Sequence, residues 1–183
     1  MIIPVKTETL MWLLPVVFMI HDLEEIIMMK PWLTKNRAKL EKRLPPRAAK
    51  VIARQTDMSV SAYALAVAEE FVILSVITLV AVEMGLFNFW AGFLIGFFVH
   101  LLVHIGQFAF FRGYVPVIAT SIPAAAYSLV ALHDLNVTHP LNWSMVAIWS
   151  VVALIIIALN LMLALKLAQK FDSWLKNNYS EIE

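Results

Sequence analysis

Five apolar runs, at about 9–29, 59–82, 88–111, 114–132 and 143–165, decide what this chain can become. Each is close to the roughly 20 residues that a bilayer's hydrocarbon core requires. A soluble domain of 183 residues has no interior large enough to hide five such runs. With 61% hydrophobic and 15% charged residues, the composition also lies outside the soluble globular range. The reading is one all-α domain over residues 1–183, a polytopic membrane bundle of five transmembrane helices. An odd number of spans puts the two termini on opposite sides.

Lysine and arginine set the orientation. Lys30, Lys35, Arg37, Lys39, Lys42, Arg43, Arg47, Lys50 and Arg54 place nine of the chain's fourteen basic residues between the first two runs. By the positive-inside rule that basic loop, residues 30–58, is cytoplasmic, with the N-terminus out and the C-terminus in. Arg112, Lys166, Lys170 and Lys176 fall on the same side, while the segments around Glu83 and from His133 to Leu141 contain no base. Trp12, Trp90 and Trp143 are expected to mark the outer boundary, and Trp32 and Trp174 the inner one. The loop is expected to break at Pro45-Pro46 and to form two short helices whose basic faces suit anionic lipid headgroups. The start, MIIPVKTETL, has neither a basic n-region nor a small-residue cleavage site and is read as retained. No nucleic-acid partner is implied. With no cysteine, disulfides and thiolate chemistry are excluded, and any metal must be held by nitrogen and oxygen.

Against this background the polar residues inside the runs stand out. His21, Asp22, Glu24 and Glu25 occupy the second half of the first run. Each acid near a helix centre costs roughly 2.5 to 3.5 kcal/mol, and a large aliphatic residue returns only about 0.3 to 0.6. At about 100° per residue, Glu24 lies about 60° to one side of His21 and Glu25 about 40° to the other, so an imidazole is presented between two carboxylates.

Glu69 and Glu70 sit in the middle of the second run, about 100° apart. One is expected to face the bundle interior and the other to bond a neighbouring helix. His100 and His104 form HLLVH in the third run, the i, i+4 spacing by which one helix face chelates a single ion. Gly92 and Gly96 share their stripe, which permits close helix approach, and Gln107 continues it. The fourth run, with Pro116 and Pro123, has no ionisable residue and reads as scaffold. At a rise of about 1.5 Å per residue, Glu69, Glu70, His100, His21, His104, Glu24, Glu25 and Asn160 all fall in one slab displaced toward the cytoplasmic side.

Ionisable residues at that depth default to a functional role, and a divalent metal, or two, neutralises such a set. The HDLEE string ending the first span, a glutamate in the second and HxxxH in the third resemble the HXXEE family of small bacterial membrane proteins over essentially the whole chain. The resemblance implies a metal-dependent enzyme of the bacterial inner membrane, with His21, Glu24 and Glu25 on the naming motif, and leaves the substrate blank.

The residues point first to an intramembrane hydrolase acting on a lipid-like substrate that enters between helices. Its metal, zinc or iron, would be held by His21, Glu25, Glu70, His100 and His104, with Glu24 and Glu69 as candidate bases and Asn160 positioning substrate. Which member of each glutamate pair ligates stays open at this stage, as does the number of subunits. Two alternatives share the residues. One is a di-iron, oxygen-activating oxidoreductase of the carboxylate-bridged kind. The other is a cation or proton transporter or sensor.

Overall fold

The computed structural model describes residues 6–45 and 57–179. Among them are five α-helices and no strand: α1 Thr7–Arg43, α2 Val60–Met84, α3 Phe87–Phe111, α4 Ile118–Thr138 and α5 Trp143–Asn178. Arg47, Lys50, Arg54 and the expected second short helix of the basic loop lie outside the described residues.

The helix ends follow from local chemistry. α1 stops where Leu44 turns extended (φ −103°, ψ 149°) in front of Pro45, whose ring disfavours helical backbone in the preceding residue. Ser59 caps α2, its hydroxyl accepting from the Ala62 N–H at 3.2 Å. At the other end Gly85 takes the left-handed conformation (φ 63°), and the Leu86 N–H bonds the Ala81 carbonyl at 2.9 Å. Asn142 caps α5 by accepting from the Met145 N–H.

Three boundaries differ from the sequence reading. α1 passes through Pro31 without breaking and continues to Arg43, so the first half of the expected loop is an overhang of the first helix. α5 likewise runs well past residue 165. α4 extends to Thr138, which makes His133 and Asp134 helical, and His139 at its end stacks on Phe87 with ring centres 3.9 Å apart.

The helices close a ring in the order α1, α2, α5, α3, α4 and back to α1, while α2 and α3, consecutive in sequence, touch less than any pair adjacent in the ring. One end of the ring is filled with apolar side chains, among them Met11, Leu14, Trp90, Leu94, Leu135 and Val146. Trp90 is fully buried there, donating to the Thr78 hydroxyl at 3.3 Å, rather than facing the outside of the bundle. Its size and bonded N–H make it a core residue. At the basic end, α2 and α5 meet through Ala62, Ala66, Ala164 and Ala168.

The glycine stripe of α3 brings it against α5. A Cβ built on Gly92 would stand 2.5 Å from Trp149 Cβ and 2.9 Å from the Ser150 nitrogen, and one on Gly96 would stand 2.9 Å from Ile157 Cδ1. A Cβ on Gly106 would meet nothing within 4 Å. The two helices therefore press together at Gly92 and Gly96, while further along side chains of both line a cavity.

α2, α3, α4 and α5 are long and apolar enough to cross a membrane. α1 does not reach that standard, because its apolar half carries Asp22, Glu24 and Glu25. The outward faces of the bundle are apolar, with Val72 and Val76 on α2 and Ile148, Val151, Ile155 and Leu159 on α5 exposed. Such a continuous belt suits lipid.

Candidate metal centre

α1 contributes His21 and α3 contributes His100 and His104, from helices that are not neighbours in the ring, with the His21 ring centre 5.6 and 5.4 Å from the other two. One ligand atom from each of the three imidazoles lies within 4.8 Å of the others. His100 Nε2 and His104 Nε2 are 3.0 Å apart. Two metal–nitrogen bonds of about 2.0–2.1 Å at a tetrahedral angle span roughly 3.3 Å, so the pair needs only a few tenths of an ångström to take an ion.

The outer nitrogens of two of these rings are already engaged. His104 Nδ1 lies 3.2 Å from Gln107 Oε1; as the amide oxygen can only accept, Nδ1 carries the proton and Nε2 presents its lone pair. His21 Nδ1 lies 3.2 Å from Thr120 Oγ1. That hydroxyl has one hydrogen, which it gives to Glu24 Oε2 at 2.7 Å, so its oxygen accepts from His21 Nδ1–H. Nε2 of His21 is then a bare lone pair, and it is buried with no hydrogen-bond partner. An orphaned buried acceptor is costly. Together with the two neighbouring imidazoles it makes a donor set that fits a divalent transition metal.

Glu24 anchors this arrangement. Its carboxylate accepts from Tyr114 Oη at 2.8 Å, the Thr120 N–H at 2.9 Å and the Thr120 hydroxyl. The Thr120 N–H belongs to the first turn of α4, where backbone donors have no helical partner and favour an anion. Metal-bound histidines commonly have their second nitrogen fixed in this way.

His100 and His104 line a cavity of about 320 Å³ whose wall also carries Asp22, Glu25, Glu70 and Asn160 among aliphatic and aromatic side chains, while His21 is fully buried beside them. Asp22 is 3% exposed and makes no hydrogen bond among the described residues; its Oδ1 is 3.9 Å from His21 Nε2. Glu25 accepts from Tyr63 Oη at 3.1 Å. Val103, Ile156 and Leu161 line the cavity and are exposed, so the cavity opens to the surface of the bundle between α3 and α5.

Residue by residue, His21, His100 and His104 come together as expected. Glu25 and Glu70 face the same cavity, but no carboxylate joins the three imidazoles within 4.8 Å among the described residues. Glu69 turns aside and accepts from Asn160 Nδ2 at 3.0 Å, dividing the glutamate pair into one cavity-facing and one helix-bonding member. Glu24 is outside the cavity wall, tied to α4.

Thr120, Tyr114 and Tyr63 escaped the sequence reading. Neutral hydroxyls give no signal against an apolar background, and α4, read as scaffold, supplies the group that orients His21. The one available hint was that an acid as deep as Glu24 needs donors from somewhere.

A protein-family model described as "Protein of unknown function with HXXEE motif" matches residues 12–132. Comparison with curated proteins finds no match, and neither does comparison with solved structures.

Proposed function

This chain belongs to the HXXEE family, and from the site built around that motif we propose that it is an intramembrane metal-dependent hydrolase acting on a lipid-like substrate. The observation that carries the reading is the convergence of three imidazoles, His21 buried with an unpartnered Nε2 and His100 and His104 at the wall of an amphipathic cavity. His21, His100 and His104 would hold a single divalent ion, with zinc favoured because three nitrogen ligands and an open position are the usual hydrolytic zinc arrangement. Such an ion supplies Lewis-acid polarisation of a carbonyl or phosphoryl oxygen and makes water a better nucleophile at neutral pH.

The chain's own residues do the rest. Asp22, unbonded and beside His21 Nε2, accepts the proton of the attacking water, and Glu70 on the facing wall adds a second carboxylate. The Asn160 amide orients the polar end of the substrate while the aliphatic wall takes its chain. The opening between α3 and α5 admits a lipid sideways, with no passage through water. The absence of a carboxylate among the three converging atoms, for the described residues, supports one ion over a carboxylate-bridged pair. The apolar packing at the far end of the ring supports catalysis over passage of a cation.

The full five-span reading belongs with this proposal. On α1, Val16, Ile20, Leu23 and Ile27 form an exposed apolar stripe at helical spacing, and its acids turn inward. That face suits a fifth span, with the basic overhang in the cytoplasm and the N-terminus outside, in a bacterial inner membrane.

Elemental analysis of detergent-purified protein tests the metal: about one zinc per chain, reduced by His21→Ala and by His100→Ala, is expected, and undiminished metal in both variants removes them as ligands. Turnover of long-chain ester, amide and phosphoester amphiphiles tests the chemistry. Activity lost in Asp22→Asn with metal retained supports the hydrolase, whereas bound metal with no turnover of any class ends it.

A further inference from the structure

A second pocket, about 250 Å³, lies at the basic end of the bundle between the overhang of α1 and the loop that follows α3. Trp32, Lys35, Asn36 and Lys39 line it from α1, at successive spacings of three, one and three residues, so all four share one helix face. Phe111 and Tyr114 line it from the other side.

Its wall is held by the aromatic residues. Trp32 Nε1 donates to the Tyr114 carbonyl at 2.7 Å, and the Trp32 ring meets Phe111 edge-on with centres 5.8 Å apart. The Asn36 amide donates to the Trp32 carbonyl at 2.9 Å. Gly113 beside them has nothing within 4 Å of where a Cβ would stand, so the pocket mouth is open.

The lysines are the unexplained part. Two like charges four residues apart on one helix face repel each other, and neither ammonium has an ion-pair partner among the described residues. A pair of unneutralised cations over an aromatic-walled hollow, at the level where membrane helices emerge, matches the chemistry that holds an anionic lipid headgroup. Lysine binds phosphate as a point charge and needs no planar, bidentate geometry.

We propose that the pocket between Lys35, Lys39, Trp32 and Tyr114 binds the phosphate of an anionic phospholipid. The proposal stands independently of the metal site. Its position gives binding a physical route to that site, because Tyr114 also donates to Glu24, the carboxylate that fixes Thr120 and through it His21.

Native mass spectrometry of the full chain in detergent, titrated with phosphatidylglycerol and with phosphatidylcholine, provides the test. Preferential retention of phosphatidylglycerol is expected, with about a tenfold loss in Lys35→Gln/Lys39→Gln. The double variant Lys42→Gln/Arg43→Gln, further along the same helix and outside the pocket, is expected to retain the lipid. Equal loss in both variants would mean a diffuse basic surface and would overturn the site, as would no loss in either. Glycerol phosphate binding by itself as tightly as the lipid, with the same lysine dependence, would overturn the lipid assignment in favour of a soluble phosphate ester.

Discussion

Replacing Thr120 with valine isolates the hydrogen bond that sets the tautomer of His21. Valine keeps the branched shape, so packing changes little, yet it removes the oxygen 3.2 Å from His21 Nδ1 and 2.7 Å from Glu24 Oε2. His21 is completely buried, so its Nδ1–H would have no water to turn to. An unpaired buried donor costs about 1–3 kcal/mol. The ring can relieve that cost by moving its proton to Nε2 or by rotating, and either change removes the free Nε2 lone pair that a metal would take. Loss of such an orienting partner typically weakens metal affinity about 10- to 100-fold, or about 1.4 to 2.7 kcal/mol, the same scale reached independently. A competition titration against a chromophoric zinc chelator in detergent reads the affinity, and a melting curve recorded with excess chelator checks the fold without metal. Thr120→Ser, which retains the hydroxyl, should recover most of the binding. A Thr120→Val protein with zinc affinity within about twofold of the parent would refute the chain of reasoning from Glu24 through Thr120 to His21.

Two further outcomes test the frame around the site. Gly92→Ala places a methyl group against the backbone of α5 and should destabilise the bundle by about 1–3 kcal/mol or more, whereas Gly106→Ala should be neutral or slightly stabilising; equal effects in thermal denaturation would contradict the close approach of α3 to α5 at Gly92. A double-mutant cycle on Asn160→Ala and Glu69→Ala should give a coupling of about 0.5–3 kcal/mol, and additivity would show that the 3.0 Å contact between α5 and α2 contributes nothing.

Much of this arrangement is legible in the sequence because lipid leaves few options. Runs of about twenty apolar residues must be helices, and a histidine or acid within one must face inward or find a partner. His21, His100 and His104 could therefore be grouped from spacing and depth, and Glu69 and Glu70 could be recognised as a pair with divided duties. Which glutamate did which depended on how far α2 is rotated against α5, a matter of packing between alanines and glycines that local pattern does not encode. Trp90 misled for a related reason: a tryptophan near the end of a run suits an interface, and only the ring of helices shows that it points inward to Thr78. The continuation of α1 beyond residue 29 was hidden by Pro31 and by the change to basic composition. A single proline removes only one hydrogen bond from an otherwise strong helix former, and the polar overhang costs nothing in water.

The five residues from His21 to Glu25 lie on little more than one turn of α1, yet their polar side chains serve three different neighbours: His21 meets α3, Glu24 holds α4 and Glu25 takes the hydroxyl from α2. The motif is thus a register key for assembly as well as a piece of chemistry. Inserting one residue just before it would rotate every tooth by about 100° relative to the rest of α1, presenting each partner with the wrong group.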